Sequence, residues 1–282
     1  MTTRPLDGNL SLKNDGTLEL FFIGTGGAFG RDFYQTNFLI VKGDVHVMVD
    51  FGMTGVEALR RTAGLDVTDI SVLLPTHSHA DHIGGLEFLT LMNRYVGMPV
   101  LNKPKLSVVV TDEYRDILWN MSLRGGMGWN EAVSLETGLG FEDYYNVIRP
   151  VEGSRGGERV WTVDAGGMEI ELFRTNHIPD LAGPANEHFL SYGLLIDNRV
   201  FFSGDTKFDP GLIERYSTVS EVFFHDAGLT PNPVHASVPE LMQLDADIRR
   251  RMFLVHYPDN APATPCDGFA GWTRQGVRYI FD

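Results

Sequence analysis

The chain of 282 residues is 43% hydrophobic and 11% aromatic, enough for one large core or two small ones. Its formal charge of −14 and pI near 5.0 argue against the basic stripe a large nucleic-acid footprint needs, and leave a small anionic substrate open. No apolar run reaches membrane-span length, and the first seven residues lack a signal-peptide core. Cys266 stands alone, so no internal disulfide can form and a cytoplasmic protein is expected.

Residues 17–23 alternate and then turn fully apolar, as a first strand entering a core does. Two β-rich runs, 38–41 and 45–50, flank Lys42-Gly43-Asp44 and predict a hairpin. His46 alternates against Val45 and Val47 and is expected to be an exposed sheet residue. A helix is predicted over 55–63, ended by Gly64, and another over 84–95. Between them, 69–74 reads as a buried strand that Pro75 ends, because proline has no N–H for a ladder. Residues 111–157 hold helix-like segments and a glycine-rich edge, and read as an insertion, either a lid or a dimer surface. Strands resume at 159–163, 168–174, 189–196, 199–202, 221–224 and 252–255, with helices at 211–216 and 239–248. This mixture, without a break in composition, predicts a single α/β domain over residues 1–282.

Directly after the strand ended by Pro75, Thr76-His77-Ser78-His79-Ala80-Asp81-His82-Ile83-Gly84-Gly85 packs three imidazoles and a carboxylate into six positions. The whole chain has nine histidines, so this density points to metal binding rather than to a polar surface loop. Imidazole and carboxylate are the usual ligands of zinc sites that keep a position open for water. His77 and His79 can face one metal while Asp81 and His82 turn toward a second. His177, Asp205 and His256 each follow an apolar strand, and ligands delivered from strand ends suit a rigid metal site.

The ordered series of 76–85, His177, Asp205 in Ser-Gly-Asp-Thr, and His256 resembles the metallo-β-lactamase fold superfamily, from about residue 19 onward. The resemblance implies a four-layer αβ/βα sandwich with metals at one edge. It also implies that His77, His79 and His177 hold one Zn2+, that Asp81, His82 and His256 hold another, and that Asp205 bridges them, with Mn2+ or Fe2+ as substitutes. Asp205 stands where true β-lactamases have cysteine, and His79 where the di-iron redox members have glutamate, so neither chemistry is expected. Phe21 to Ala28, with Gly24-Thr25-Gly26, is similar to an N-terminal segment of the phosphodiesterase branch that includes ribonuclease Z. So is His225-Asp226-Ala227 followed by His235-Ala236-Ser237, although Asp226 replaces the usual glutamate. The glycine segment is not a dinucleotide fingerprint, because Phe29 occupies the third glycine position.

The expectation is a binuclear zinc-dependent hydrolase, a phosphodiesterase for a small phosphodiester such as a cyclic nucleotide. Two metals would activate water for in-line attack on phosphorus, Asp81 would orient the nucleophile, and His235 would stabilise phosphoryl oxygens or protonate the leaving alkoxide. His225 and Asp226 are expected to support other groups by hydrogen bonds or to touch substrate. His188 reads as a loop residue with a substrate role open. Trp119, Trp129, Tyr144 and Tyr145 could stack a base or simply pack. The alternatives are a ribonuclease Z-like RNA endonuclease, a thioesterase or lactonase and, in another class, a non-catalytic binding subunit. The 111–157 stretch is not strongly basic, which favours the small substrate over RNA. A homodimer without a membrane partner is expected.

Overall fold

The computed structural model describes residues 1–134, 136–181 and 189–282, so His188 lies outside the described residues. The chain forms two compact units. One comprises Met1–Ile23, Asn37–Pro150 and Gly276–Asp282, the other Gly24–Thr36 and Val151–Gln275. Two eight-stranded sheets with helices give the mixed α/β class expected from the sequence. Among the described residues, no helix is long and apolar enough to cross a membrane.

The first sheet runs, in spatial order, Thr2–Pro5, Val277–Phe281, Leu18–Gly24, Asn37–Lys42, Val45–Val49, Val72–Leu74, Ser107–Val109 and Asn146–Ile148. Leu18–Gly24 is buried along its whole length, which explains why its alternation gives way to a continuous apolar run. The predicted hairpin is present, with Phe38 opposite Val49 and Gly43 at a φ of 61° in the turn. From Val45–Val49 onward, the strands through Val72–Leu74 and Ser107–Val109 to Asn146–Ile148 are parallel neighbours. Parallel strands present their C-terminal ends at one sheet edge, so Asp50 and the Thr76–His82 loop emerge side by side.

The second sheet runs Gly271–Trp272, Met252–Val255, Val222–Asp226, Val200–Phe202, Tyr192–Ile196, Glu169–Arg174, Glu158–Asp164 and Val151–Arg155. Its second half is an antiparallel meander, while Val200–Phe202, Val222–Asp226, Met252–Val255 and Gly271–Trp272 pair in parallel. Asp205, Asp226 and His256 therefore leave from the same edge. So does His177, because Glu169–Arg174 lies two antiparallel steps from Val200–Phe202 and shares its direction. The core beneath them includes Phe173, Leu195, Phe201, Ile213, Tyr216 and Phe223, and Cys266 packs against it with burial pushing its thiol up.

Two expectations change, and one alternative left open is decided. His46 is 8% exposed, and its Nε2 accepts the Ser71 N–H at 3.0 Å, because its face of the strand is covered as fully as the valine face. Residues 111–157 are not one excursion: Asn146–Ile148 completes the first sheet and Val151–Arg155 pairs with Glu158–Asp164 in the second. Trp119, Tyr144 and Tyr145 are buried around Phe141, so packing accounts for them, whereas Trp129 is exposed.

Candidate metal and acid–base centre

In the first unit, the chain turns at Pro75 and the next residues are fixed by one buried carboxylate, Asp50. Its Oδ1 accepts the Thr76 N–H at 2.7 Å, and its Oδ2 accepts the Thr76 hydroxyl at 2.8 Å and the His82 Nδ1–H at 2.7 Å. Burial pushes the Asp50 carboxyl above the usual carboxylate range, and the charge and hydrogen bonds of His82 and Thr76 oppose that shift. With its own proton given to Asp50, Thr76 Oγ1 accepts from His77 Nδ1 at 3.1 Å. Both His77 and His82 thereby turn Nε2 away from these anchoring oxygens. The Nε2 of His77 lies 3.0 Å from His79 Nδ1, and that of His82 lies 3.2 Å from Asp81 Oδ2. The short helix Ala80–Ile83 is tied down by Asn37, whose amide donates to the Asp81 carbonyl at 3.2 Å and whose Oδ1 accepts the Gly52 N–H at 3.0 Å.

In the second unit, the hub is Asp226. Its Oδ2 accepts the His235 Nδ1–H at 2.6 Å and the Thr206 N–H at 3.1 Å, while Oδ1 lies 3.4 Å from His256 Nδ1. The shorter aspartate thus reaches both imidazoles where the resemblance led to glutamate. His256 Nε2 lies 3.4 Å, and His177 Nε2 3.8 Å, from Asp205 Oδ2. Ligand atoms of Asp205, Asp226, His235 and His256 all fall within 4.8 Å of one another. His177 donates Nδ1–H to the Val234 carbonyl at 2.8 Å, again turning Nε2 away from the anchoring oxygen. His225 is fully buried, donates Nδ1–H to the Asp226 carbonyl at 2.8 Å and lies against Phe201, so it supports the strand end.

Two neighbouring imidazoles are driven in opposite directions. The ring centroids of His177 and His235 are 4.8 Å apart. Burial pushes His177 down to about 4, which keeps it neutral at physiological pH, the form in which imidazole binds metal. Burial also works against charge on His235, but the charge and hydrogen bond of Asp226 outweigh it and raise that imidazole above its ordinary value. In Asp226 the same pairing with His235, joined by His256, overcomes burial and holds the carboxyl below its usual range. Groups so close with shifts of opposite sign suit distinct chemical roles.

The donor set fits divalent cations. Each of His77, His82, His177 and His256 has Nδ1 facing an oxygen, which fixes the tautomer and leaves Nε2 as a ligand atom. Carboxylates Asp81 and Asp205 stand next to those nitrogens. Asp50 (φ 57°) and His256 (φ 59°) adopt left-handed backbone unusual for residues other than glycine, a strain of order 1–3 kcal/mol each that accumulates at functional positions. A cavity of about 750 Å³ opens beside His235 and His256, walled among others by Ala28, Phe29, Leu229 and Pro258.

Sequence reasoning missed Asp50 and Thr76 as members of this arrangement. The available signal was an acidic residue closing the apolar run Val45 to Val49, followed by Gly52 and placed one strand before the histidine loop. That signal is weak without knowing that the two strands are parallel neighbours.

A family model described as anti-Pycsar protein Apyc1 matches residues 18–279. An anti-Pycsar protein Apyc1 of Bacillus phage 010DV004 is 34% identical over 250 residues, covering 86% of this chain and 90% of the relative. Among solved structures, the metallo-β-lactamase fold protein YhfI from Bacillus subtilis aligns with a TM-score of 0.64 at 16% identity, over 93% of this chain and 99% of that one. A diphosphatase of the PhnP family aligns with a TM-score of 0.66 at 13% identity, over 94% and 98%. Those two likenesses speak for the fold. Family model and relative together show that the chain, built on the metallo-β-lactamase fold, belongs to the anti-Pycsar protein Apyc1 family.

Proposed function

We propose that the protein is a binuclear zinc phosphodiesterase that opens a small cyclic nucleotide. His77, His79 and His177 would hold one cation, Asp81, His82 and His256 the other, and Asp205 would bridge them. Bound there, the cations would supply Lewis-acid charge for the phosphoryl oxygens and acidify water. The overall step adds water to phosphorus, breaks the bond to one ester oxygen and yields a phosphomonoester. His235 carries the acid role. Asp226 holds its Nδ1–H at 2.6 Å, so the ring is oriented and its Nε2 can deliver a proton to the leaving alkoxide. Asp81 orients the incoming water.

The single observation that carries this reading is the Asp226–His235 pair, whose imidazole lines the cavity next to His256. An acid poised beside metal ligands suits an alkoxide leaving group, whereas a thiolate would leave from a thioester without one. A formal charge of −14 disfavours RNA, and a small cyclic nucleotide agrees with the anti-Pycsar name of the relatives. The test is a hydrolysis screen of the zinc-loaded protein against bis-nitrophenyl phosphate, cyclic nucleotides, a precursor transfer RNA, a thioester and a lactone. Turnover of cyclic nucleotides well above the rest supports the proposal. Preferred cleavage of the transfer RNA, thioester or lactone, or no turnover of any phosphodiester, overturns it.

A further inference from the structure

We infer that Asn232 is the positioning residue that sets the acid His235 and the ligand His177 together, through one turn of backbone. The inference rests on the roles proposed above for those two histidines. Asn232 lies in Pro231-Asn232-Pro233-Val234-His235, an exposed loop on the wall of the cavity. Its Oδ1 accepts the N–H of Val234 at 3.0 Å and the N–H of His235 at 2.8 Å. Pro233 has no N–H, so the side chain reaches past it to the first two donors available, and one acceptor closes the turn over two successive residues.

Both residues held in this way point at the centre. The N–H of His235 is fixed by Asn232 while its ring is fixed by Asp226, so the imidazole is held from its backbone and its side chain. Val234, fixed through its N–H, turns its carbonyl to receive the His177 Nδ1–H at 2.8 Å. The base of the loop is closed by Gly228 N–H to the Ala236 carbonyl at 2.8 Å and by Ala236 N–H to the Thr206 carbonyl at 2.7 Å, one residue beyond Asp205. Gly228 also leaves room for the asparagine, since a Cβ there would lie 3.3 Å from Asn232 Nδ2. With its base anchored, the loop has Asn232 Oδ1 as the group that fixes its tip.

The acceptor oxygen, and not the amide nitrogen, carries the effect, so Asn232→Asp should preserve it and Asn232→Ala should abolish it. The experiment measures kcat and KM for a cyclic nucleotide and, separately, retention of zinc against a chelator by elemental analysis. Asn232→Ala is expected to lower kcat by about 10-fold to 100-fold with KM within about threefold, and to lose zinc at correspondingly lower chelator concentration. Asn232→Asp is expected to stay within about threefold of the parent in both readouts. If Asn232→Ala does not fold, Asn232→Leu takes its place, a side chain of similar size that also lacks the acceptor. Parental kcat and zinc retention in the acceptor-less variant overturn the inference, and so does equal loss in Asn232→Asp. If the parent opens no cyclic nucleotide, the phosphodiesterase reading fails, and the chelator measurement still decides whether Asn232 secures His177.

Discussion

Asp50 is a single buried carboxylate that holds the histidine loop by accepting from Thr76 and His82. His77, His79, Asp81 and His82 could be named from spacing, since three imidazoles and a carboxylate rarely crowd into six positions except around a metal. Asp50 could not, because its role depends on hydrogen bonds to Thr76 and His82, 26 and 32 positions away. Asp50→Asn places an amide N–H against donors, so it should lose about 1–3 kcal/mol of stability and about 10-fold to 100-fold in metal affinity. Urea unfolding and elemental analysis would show both, and a variant with parental zinc content would remove Asp50 from the metal centre. His235→Ala should behave differently: zinc is retained while kcat for a phosphodiester falls by roughly 10²–10⁴-fold. Turnover at the parental rate would exclude His235 from proton delivery.

For the elements, the apolar runs marked the long strands well, and failures came where that signal is short or contradictory. Ser107–Val109 has three residues, too few for a period of two to register, and Thr2–Pro5 is exposed and polar. His46 misled for the opposite reason: alternation identifies two faces of a strand but not whether the second one is covered. One glycine shows how tightly a strand end is specified. Gly204 has a φ of 57°, and a Cβ there would clash with the Tyr192 carbonyl oxygen. Gly204→Ala must therefore shift the neighbouring Asp205, with a stability loss of more than about 1 kcal/mol and reduced zinc content. Gly211→Ala, inside the helix Pro210–Ser217 where a Cβ meets nothing closer than 3.5 Å, is the control and should be neutral or stabilising. Equal melting behaviour of the two variants would show that the turn at Gly204 tolerates a side chain.

Across the molecule, net charge and buried titratable groups set how stability responds to pH. Burial lowers His46 from 6.5 to about 4 in the folded protein, so the unfolded chain takes up the proton first. Its contribution is fully present above the unfolded value of 6.5 and is lost as pH falls from there toward about 4. The shift corresponds to about 3 kcal/mol at most. His177 is shifted in the same direction and loses stability over the same window. His46→Gln keeps an acceptor for the Ser71 N–H without a proton to gain. Urea midpoints measured at about pH 5 and about pH 7.5 should fall less in this variant than in the parent. Equal falls would mean that His46 is not a source of the acid sensitivity.

The groups available for chemistry are legible in the linear order: imidazoles and carboxylates at the ends of apolar strands, one glycine turn before Asp205, and an acidic chain without a basic arm. Periodicity and composition are local properties, so they need no folding to be read. Folding alone reveals that Asp226 joins His235 and His256, that Asp50 fixes His82, and that Asn232 closes the turn beneath His235 and Val234. Parallel strand pairing brings the ends of distant strands to one sheet edge, and a hydrogen bond depends on distance in space rather than along the chain.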